Sequence, residues 1–321
     1  MLIVRNWYEV IIPSRALSVK KLDIHKLRRA LKNVLVVVAV IIAGIYLYLA
    51  PRLNRDLTAH VLFHPPDSKL DRPIEIGGIT GKHYKILASN FEQKTSKVVL
   101  DSILFKLPKD KERGVILYSL GVGSSINTLC DPFQIATMLQ LGYSVFVYDQ
   151  EGYGLSSGQC NIDRWVPDTT MAHDFLVSEL KYPLGSVIAY GESFGAGTTA
   201  EMSKQRPLKA MILESPLTSP KDWADQHLNV TVIYPDFLFM EPTFNNLAVL
   251  KGKHPPVLVI GTALDRNVPI NHARRLADEG ARPLQYLELP TSQHVYVSEQ
   301  DHNLYKKQLK LFLDQFSKIR E

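Results

Sequence analysis

Seven short apolar runs alternate with stretches of helical periodicity along the later part of the chain, and this alternation restricts the fold more than any other feature. The runs cover residues 98–105, 115–120, 144–148, 186–190, 210–213, 257–260 and 285–289. The helix-like stretches cover 126–141, 168–180, 194–204, 272–279 and 302–319. Strand–helix alternation predicts an α/β protein, with a mostly parallel sheet and helices on both faces. Residues 51–82 are rich in Pro, Asp and Gly and read as a linker or wrapping segment ahead of a domain spanning 83–321. Residues 215–254 are too many for an ordinary connection and read as an inserted cap. Its Trp223, Tyr234, Phe237, Phe239, Met240 and Phe244 can pack the cap on the core, roof a pocket, or do both.

The run 186–190 leads directly into Gly191-Glu192-Ser193-Phe194-Gly195, which in turn opens a helical stretch. G-x-S-x-G alone is weak, but strand–turn–helix is the setting in which it forms a nucleophile elbow. The turn would push the Ser193 hydroxyl out beyond the sheet edge, and Gly191 and Gly195 would let strand and helix backbones approach without side chains between them. A serine hydroxyl needs a base to take its proton. Asp265 follows the run 257–260, and His294 follows the last run, so each stands past the end of a strand. Singly, Asp265 reads as a turn residue and His294 as one of ten histidines. Jointly, Ser193, Asp265 and His294 read as a catalytic triad, with His302 as the spare base and Glu214 as the spare acid. Val122 N–H, after the run 115–120, and Phe194 N–H are the candidate oxyanion donors.

On these motifs residues 95–319 resemble the α/β-hydrolase superfamily, and within it the membrane-anchored abhydrolase-domain serine hydrolases of the lipase/thioesterase/serine-aminopeptidase-like branch. Asp149-Gln150-Glu151-Gly152-Tyr153-Gly154-Leu155-Ser156-Ser157-Gly158 is similar to the family's D-x-R-G-Y-G-x-S-x-G loop. Gly261 to Pro269, reading GTALDRNVP, resembles its acid loop. The order Ser…Asp…His is the superfamily's. Two positions depart from it: Leu120 stands where histidine is common before the oxyanion loop, and Glu151 where arginine is usual. The oxyanion donor is a backbone N–H, so Leu120 need not matter; Glu151 has no explanation at this level. The resemblance implies an α/β-hydrolase fold and acyl transfer through Ser193.

Residues 34–50, VLVVVAVIIAGIYLYLA, contain no charge. As a helix they would cover roughly 25 Å, which suits a thin bilayer core. A buried core element and a cleaved signal peptide are the competing readings. The position of the run and its LYLAPRL ending favour an uncleaved anchor. Ten of the 37 Lys and Arg lie in residues 1–55, against two of the 32 acidic residues, so the net charge of +5 belongs to the arm and not to the remainder. A basic arm over 1–33 predicts a cytosolic N-terminus and a catalytic domain on the lumenal, periplasmic or extracellular side. On that side Cys130 and Cys160 could pair, or remain two buried thiols, and Asn229-Val230-Thr231 is a glycosylation sequon.

Charge distribution also excludes a nucleic-acid partner, since the domain itself has no basic excess. At 45% hydrophobic and 21% charged residues the chain is not disordered, and two cysteines cannot make a disulfide scaffold. The sequence lacks H-E-x-x-H, C-x-x-C and a Walker loop, so no metal or other cofactor is expected. The expected function is a membrane-tethered serine hydrolase acting on the acyl ester or thioester bond of a lipid or other acyl-containing small molecule. The alternatives are a serine peptidase of the same fold, a non-catalytic scaffold, and dinucleotide binding through Gly152, Gly154 and Gly158.

Overall fold

The computed structural model describes residues 24–66, 74–88, 97–129, 132–239 and 243–316, divided into the units Met1–Leu49 and Ala50–Glu321. In the first unit the described residues form a helix, α1 (Ile24–Tyr48), none of whose residues is buried. By length and composition it can cross a membrane. It begins ten residues ahead of the uncharged run, because Lys, Arg and Leu are good helix formers and nothing between Ile24 and Asn33 breaks the helix.

In the second unit α2 (Arg55–Leu62) and a hairpin of β1 (Glu75–Ile76) and β2 (Ile79–Thr80) precede the sheet. The sheet holds β3 (Lys82–Leu87), β4 (Val99–Phe105), β5 (Gly114–Ser119), β6 (Tyr143–Tyr148), β7 (Ile188–Glu192), β8 (Ala210–Glu214), β9 (Val257–Thr262) and β10 (Leu284–Leu289). Their order is β10-β9-β8-β7-β5-β6-β4-β3. β3 and β4 pair antiparallel, as do β4 and β6, and all other neighbours are parallel. The helices are α3 (Phe133–Gln140), α4 (Trp165–Ser178), α5 (Phe194–Ser203), α6 (Pro220–His227), α7 (Asn246–Lys251), α8 (Asn271–Glu279) and α9 (His302–Asp314).

Alternation along the strands divides the core. Ile116, Tyr118, Ile188 and Tyr190 face α3 and α9, while Val115, Leu117 and Ala189 face α4 and the end of α5. The strand order reverses between β5 and β7, and crevices at such switch points are where open α/β sheets bind ligands. A third apolar cluster sits there, built from Tyr153, Trp165, Phe194, Phe239 and Phe244 together with Phe63 from the segment after α2. Phe63 stacks on Trp165 at 5.0 Å and meets Phe194 edge-on at 5.6 Å.

The expected helix 126–141 is instead a single 3-10 turn, Ile126–Thr128, followed by α3. Pro132 separates them, and a residue before proline resists helical geometry. The connection from Ser215 to His254 holds α6, α7 and two further 3-10 turns. Met240 and Cys130 lie outside the described residues, and so does the Cys130–Cys160 pairing.

The 149–158 loop props the one that follows β5. Asp149 Oδ1 accepts the N–H of Ile126 at 2.8 Å, and the Tyr153 hydroxyl donates to the carbonyl of Val122 at 3.0 Å. Gly154 has φ +49, and a Cβ there would stand 2.0 Å from Asp149 Oδ2. Gly154 turns around the Asp149 carboxylate and Gly158 around that of Glu151, Gly152 packs on the backbone of residues 159 and 160, and none of them opens a helix on a dinucleotide. Glu151 is also accounted for. It accepts from Arg164 Nε at 3.0 Å, while Arg164 Nη2 reaches Asp168 at 3.0 Å, so the loop cation comes from residue 164.

Phe63→Ala leaves a void between two aromatic rings and should cost about 3–5 kcal/mol of stability, read from denaturant unfolding. Burial pushes the Asp149 carboxyl up to about 7. Between about pH 4 and 7 the native state holds a proton that the unfolded chain releases, so this group makes stability fall as pH rises across that window. Asp149→Asn should therefore unfold at a higher midpoint, relative to wild type, at pH 8 than at pH 5.

Candidate active site

Ser193 follows β7 and stands at the N-cap of α5 with φ +54 and ψ −119, a conformation L-residues seldom adopt. Its N–H donates to Glu214 O at 2.9 Å, which ties the strained residue to the next strand. The approach leaves no room for side chains. A Cβ on Gly191 would lie 2.4 Å from Gly195 O, and one on Gly195 would lie 2.4 Å from Ser119 O. β5 and β7 are in register here, Ser119 opposite Gly191.

Three residues from separate loops converge on this point. His294 Nε2 lies 2.9 Å from Ser193 Oγ, and His294 Nδ1 lies 2.7 Å from Asp265 Oδ2. A carboxylate only accepts, so Nδ1 carries the proton toward Asp265 and the Nε2 lone pair faces the serine hydroxyl. Asp265 Oδ1 accepts the N–H groups of Asn267 and Val268, both at 2.8 Å. Burial alone would raise the Asp265 carboxyl, but the hydrogen bond and charge of His294 with these two amides outweigh it and hold the carboxyl below its usual range. The His294 loop is braced independently. Asp301 accepts from Thr291 N–H at 2.9 Å and Ser292 Oγ at 2.6 Å, and Val295, at φ +45, passes its carbonyl to Gln134 Nε2 at 3.1 Å. The spare candidates are occupied elsewhere. His302 stacks on Phe133 at 3.6 Å and donates to Val297 O, and Glu214 is buried against Tyr190 and Gln134.

The oxyanion candidates Val122 and Phe194 flank Ser193, and among the described residues no acceptor takes either N–H. What sequence reasoning missed is Glu192. Its Oε1 accepts Gly121 N–H at 3.1 Å and its Oε2 accepts the Tyr118 hydroxyl at 2.7 Å. It thereby holds the chain one residue before Val122. Burial raises its carboxyl above the ordinary range, against these hydrogen bonds and the His294 charge. Tyr118 stacks on Tyr190 at 4.6 Å, and Tyr190 donates to Glu214. The only available signal was the charge itself, placed at the end of an otherwise apolar strand.

Two cavities meet at Ser193 and His294. One, of about 300 Å³, is apolar, with Val61, Leu62, Leu217, Trp223 and Val268 in its walls. The other, of about 310 Å³, is lined by Gly121, Gly123, Ser124, Glu192 and Asn267. Among the described residues no group of three or more His, Cys, Asp or Glu is placed to hold a metal ion.

Comparison with known proteins agrees with this architecture. A family profile described as serine aminopeptidase, S33, matches residues 110–249, which includes the elbow and stops short of Asp265. An uncharacterized protein of Mycobacterium tuberculosis is 30% identical over 154 residues, 48% of this chain and 54% of that protein. The chain thus spans about half the length of the first curated relatives it matches. Human alpha/beta hydrolase domain-containing protein 17B is 26% identical over 229 residues, 70% of this chain and 75% of that protein. Among solved structures, the Pyrococcus furiosus esterase Pf2001 superposes with a TM-score of 0.61 at 16% identity, covering 80% of this chain and 98% of the esterase. Strand order and elbow are those of the α/β-hydrolase fold, and these similarities support an α/β-hydrolase superfamily member.

Proposed function

We propose that the chain is a membrane-tethered serine hydrolase that cleaves the acyl ester or thioester bond of a lipophilic substrate. The observation that carries this reading is the unbroken hydrogen-bond path from Ser193 Oγ through His294 to Asp265. As Oγ attacks the carbonyl carbon, His294 Nε2 takes its proton, and Asp265 stabilises the imidazolium without accepting a proton. The carbonyl oxygen, now anionic, is met by the N–H groups of Val122 and Phe194, a term worth about 2.7–4 kcal/mol per donor. His294 returns the proton to the departing alcohol or thiol. Water, activated by the same imidazole, then releases the acid and restores Ser193.

The apolar cavity beside Ser193 supports an acyl group as the part of the substrate held there, and the more polar recess suits its leaving group. Helix α1 supports a tether. In this reading residues 1–33 are a cytosolic basic arm, 34–50 the anchor, and the domain with its cap over 215–254 works on the lumenal, periplasmic or extracellular side.

A fluorophosphonate probe should label the wild-type chain and fail on Ser193→Ala. Asp265→Asn should keep the fold and lower kcat on acyl esters by about 10⁴, because the imidazole then presents the wrong tautomer. Labelling that survives Ser193→Ala, or turnover of peptides with none of acyl esters at any chain length, would overturn the proposal.

A further inference from the structure

Helix α2 is apolar on two sides. Inward, Ala59 and Leu62 pack on the Trp165 cluster, as does Phe63 just beyond the helix. Outward, Leu57 and Val61 are four residues apart and share one side of the helix, and Leu53 lies just ahead of its N-cap, Asn54. Leu53 is 58% exposed, Leu57 37% and Val61 54%. The cap adds to this face. Arg52 N–H donates to Leu238 O and Arg52 Nη1 to Phe237 O, both at 3.1 Å, which brings residue 53 beside Phe237, itself 67% exposed. Val61 also lines the apolar cavity that holds Ser193. Apolar surface thus leads from the turn at Leu53, along the turn of α2 between Leu57 and Val61 that rises about 6 Å, to the mouth of the candidate site.

Contiguous exposed apolar surface of this kind marks an interaction site. Sequence connectivity identifies the partner. Leu53 comes five residues after Tyr48, the last residue of α1, and an extended chain covers at most about 3.6 Å per residue. With α1 in a bilayer, the start of the strip stays within about 18 Å of the membrane boundary. Arg52 flanks the strip, as a cation at a headgroup layer does. A soluble protein partner would explain neither this position nor the continuity of the strip with an acyl-sized cavity.

Resting on the tethered-hydrolase reading above, we propose that Leu53, Leu57, Val61 and Phe237 dock on the lipid bilayer surface, and that acyl chains pass along this strip into the Ser193 cavity. Full-length protein carrying a photo-crosslinking phenylalanine at 53 or 57 is reconstituted in phosphatidylcholine–phosphatidylglycerol vesicles and irradiated. The control site is Leu184, which is 67% exposed and precedes β7, at the opposite end of that strand from Ser193. Lipid adducts at 53 and 57 but not at 184 are expected. Adducts only to a second copy of the chain, adducts equal at all three positions, or none at 53 and 57 overturn the proposal. Fluorophosphonate labelling of the same samples shows separately whether the hydrolase reading stands. In a second measurement, the double variant Leu53→Asp, Leu57→Asp should hydrolyse a vesicle-borne long-chain ester at least about tenfold more slowly, while its rate on a water-soluble short-chain ester stays within about twofold of wild type. Equal loss on both esters, or on neither, counts against docking.

Discussion

The close contact of β5, β7 and the start of α5 governs the rest of the site. Backbone atoms fill the space where side chains of residues 191 and 195 would stand, so the helix axis can point its first turn past the sheet edge. Ser193 is forced to φ +54 as a result, and Glu214 O holds it there. The strain is local and modest in scale, about 1–3 kcal/mol for such a residue. Packing on three sides outweighs it: Phe194, the next residue, is held by Phe63, Trp165 and Phe244. The hydroxyl therefore stands in one place before any substrate arrives.

Around that point the charges are arranged in two layers. Asp265 receives two backbone N–H groups and the imidazole, which favours its ionised form. Beneath the serine, Glu192 and Glu214 are buried, with the Tyr118 and Tyr190 hydroxyls, the Gly121 N–H and the Gln134 amide as donors. Burial penalises the ionised form of Glu192 and raises its carboxyl. Glu192 connects the layers, because the oxygen that accepts Gly121 N–H also fixes the direction in which the chain enters Val122. A substitution there would disturb the Gly121–Val122 segment while leaving the Ser193, His294 and Asp265 side chains in place.

The parallel strands, the elbow and the meeting of Ser193, Asp265 and His294 were legible because each rests on local pattern: apolar runs, a glycine pair, and position after a strand. What was not legible depends on partners far away in the chain. β3 reads Lys-His-Tyr-Lys-Ile-Leu, with Lys82 and Lys85 on an edge strand, and charge at an edge hides the alternation that announces a strand. α2 looked like linker because its inward side is only two or three residues wide and its target, Trp165, lies a hundred residues later. Glu151 looked anomalous until Arg164 was found opposite it.

The division of labour among the loops explains why one register error would remove the whole site. Glu192 pairs with Glu214, Glu214 with Ile260, and Thr262 with Leu289, so the ends of β7, β8, β9 and β10 form one continuous rim. Asp265 and His294 leave that rim three and five residues after their strands end, too few to make up for a displaced strand. A slip of one residue would turn every side chain of a strand to the opposite face. It would also move a loop by about 3.3 Å, more than the 2.7 and 2.9 Å separations at His294 can absorb. The apolar packing on both faces of the sheet is therefore what aligns the hydroxyl, the imidazole and the carboxylate.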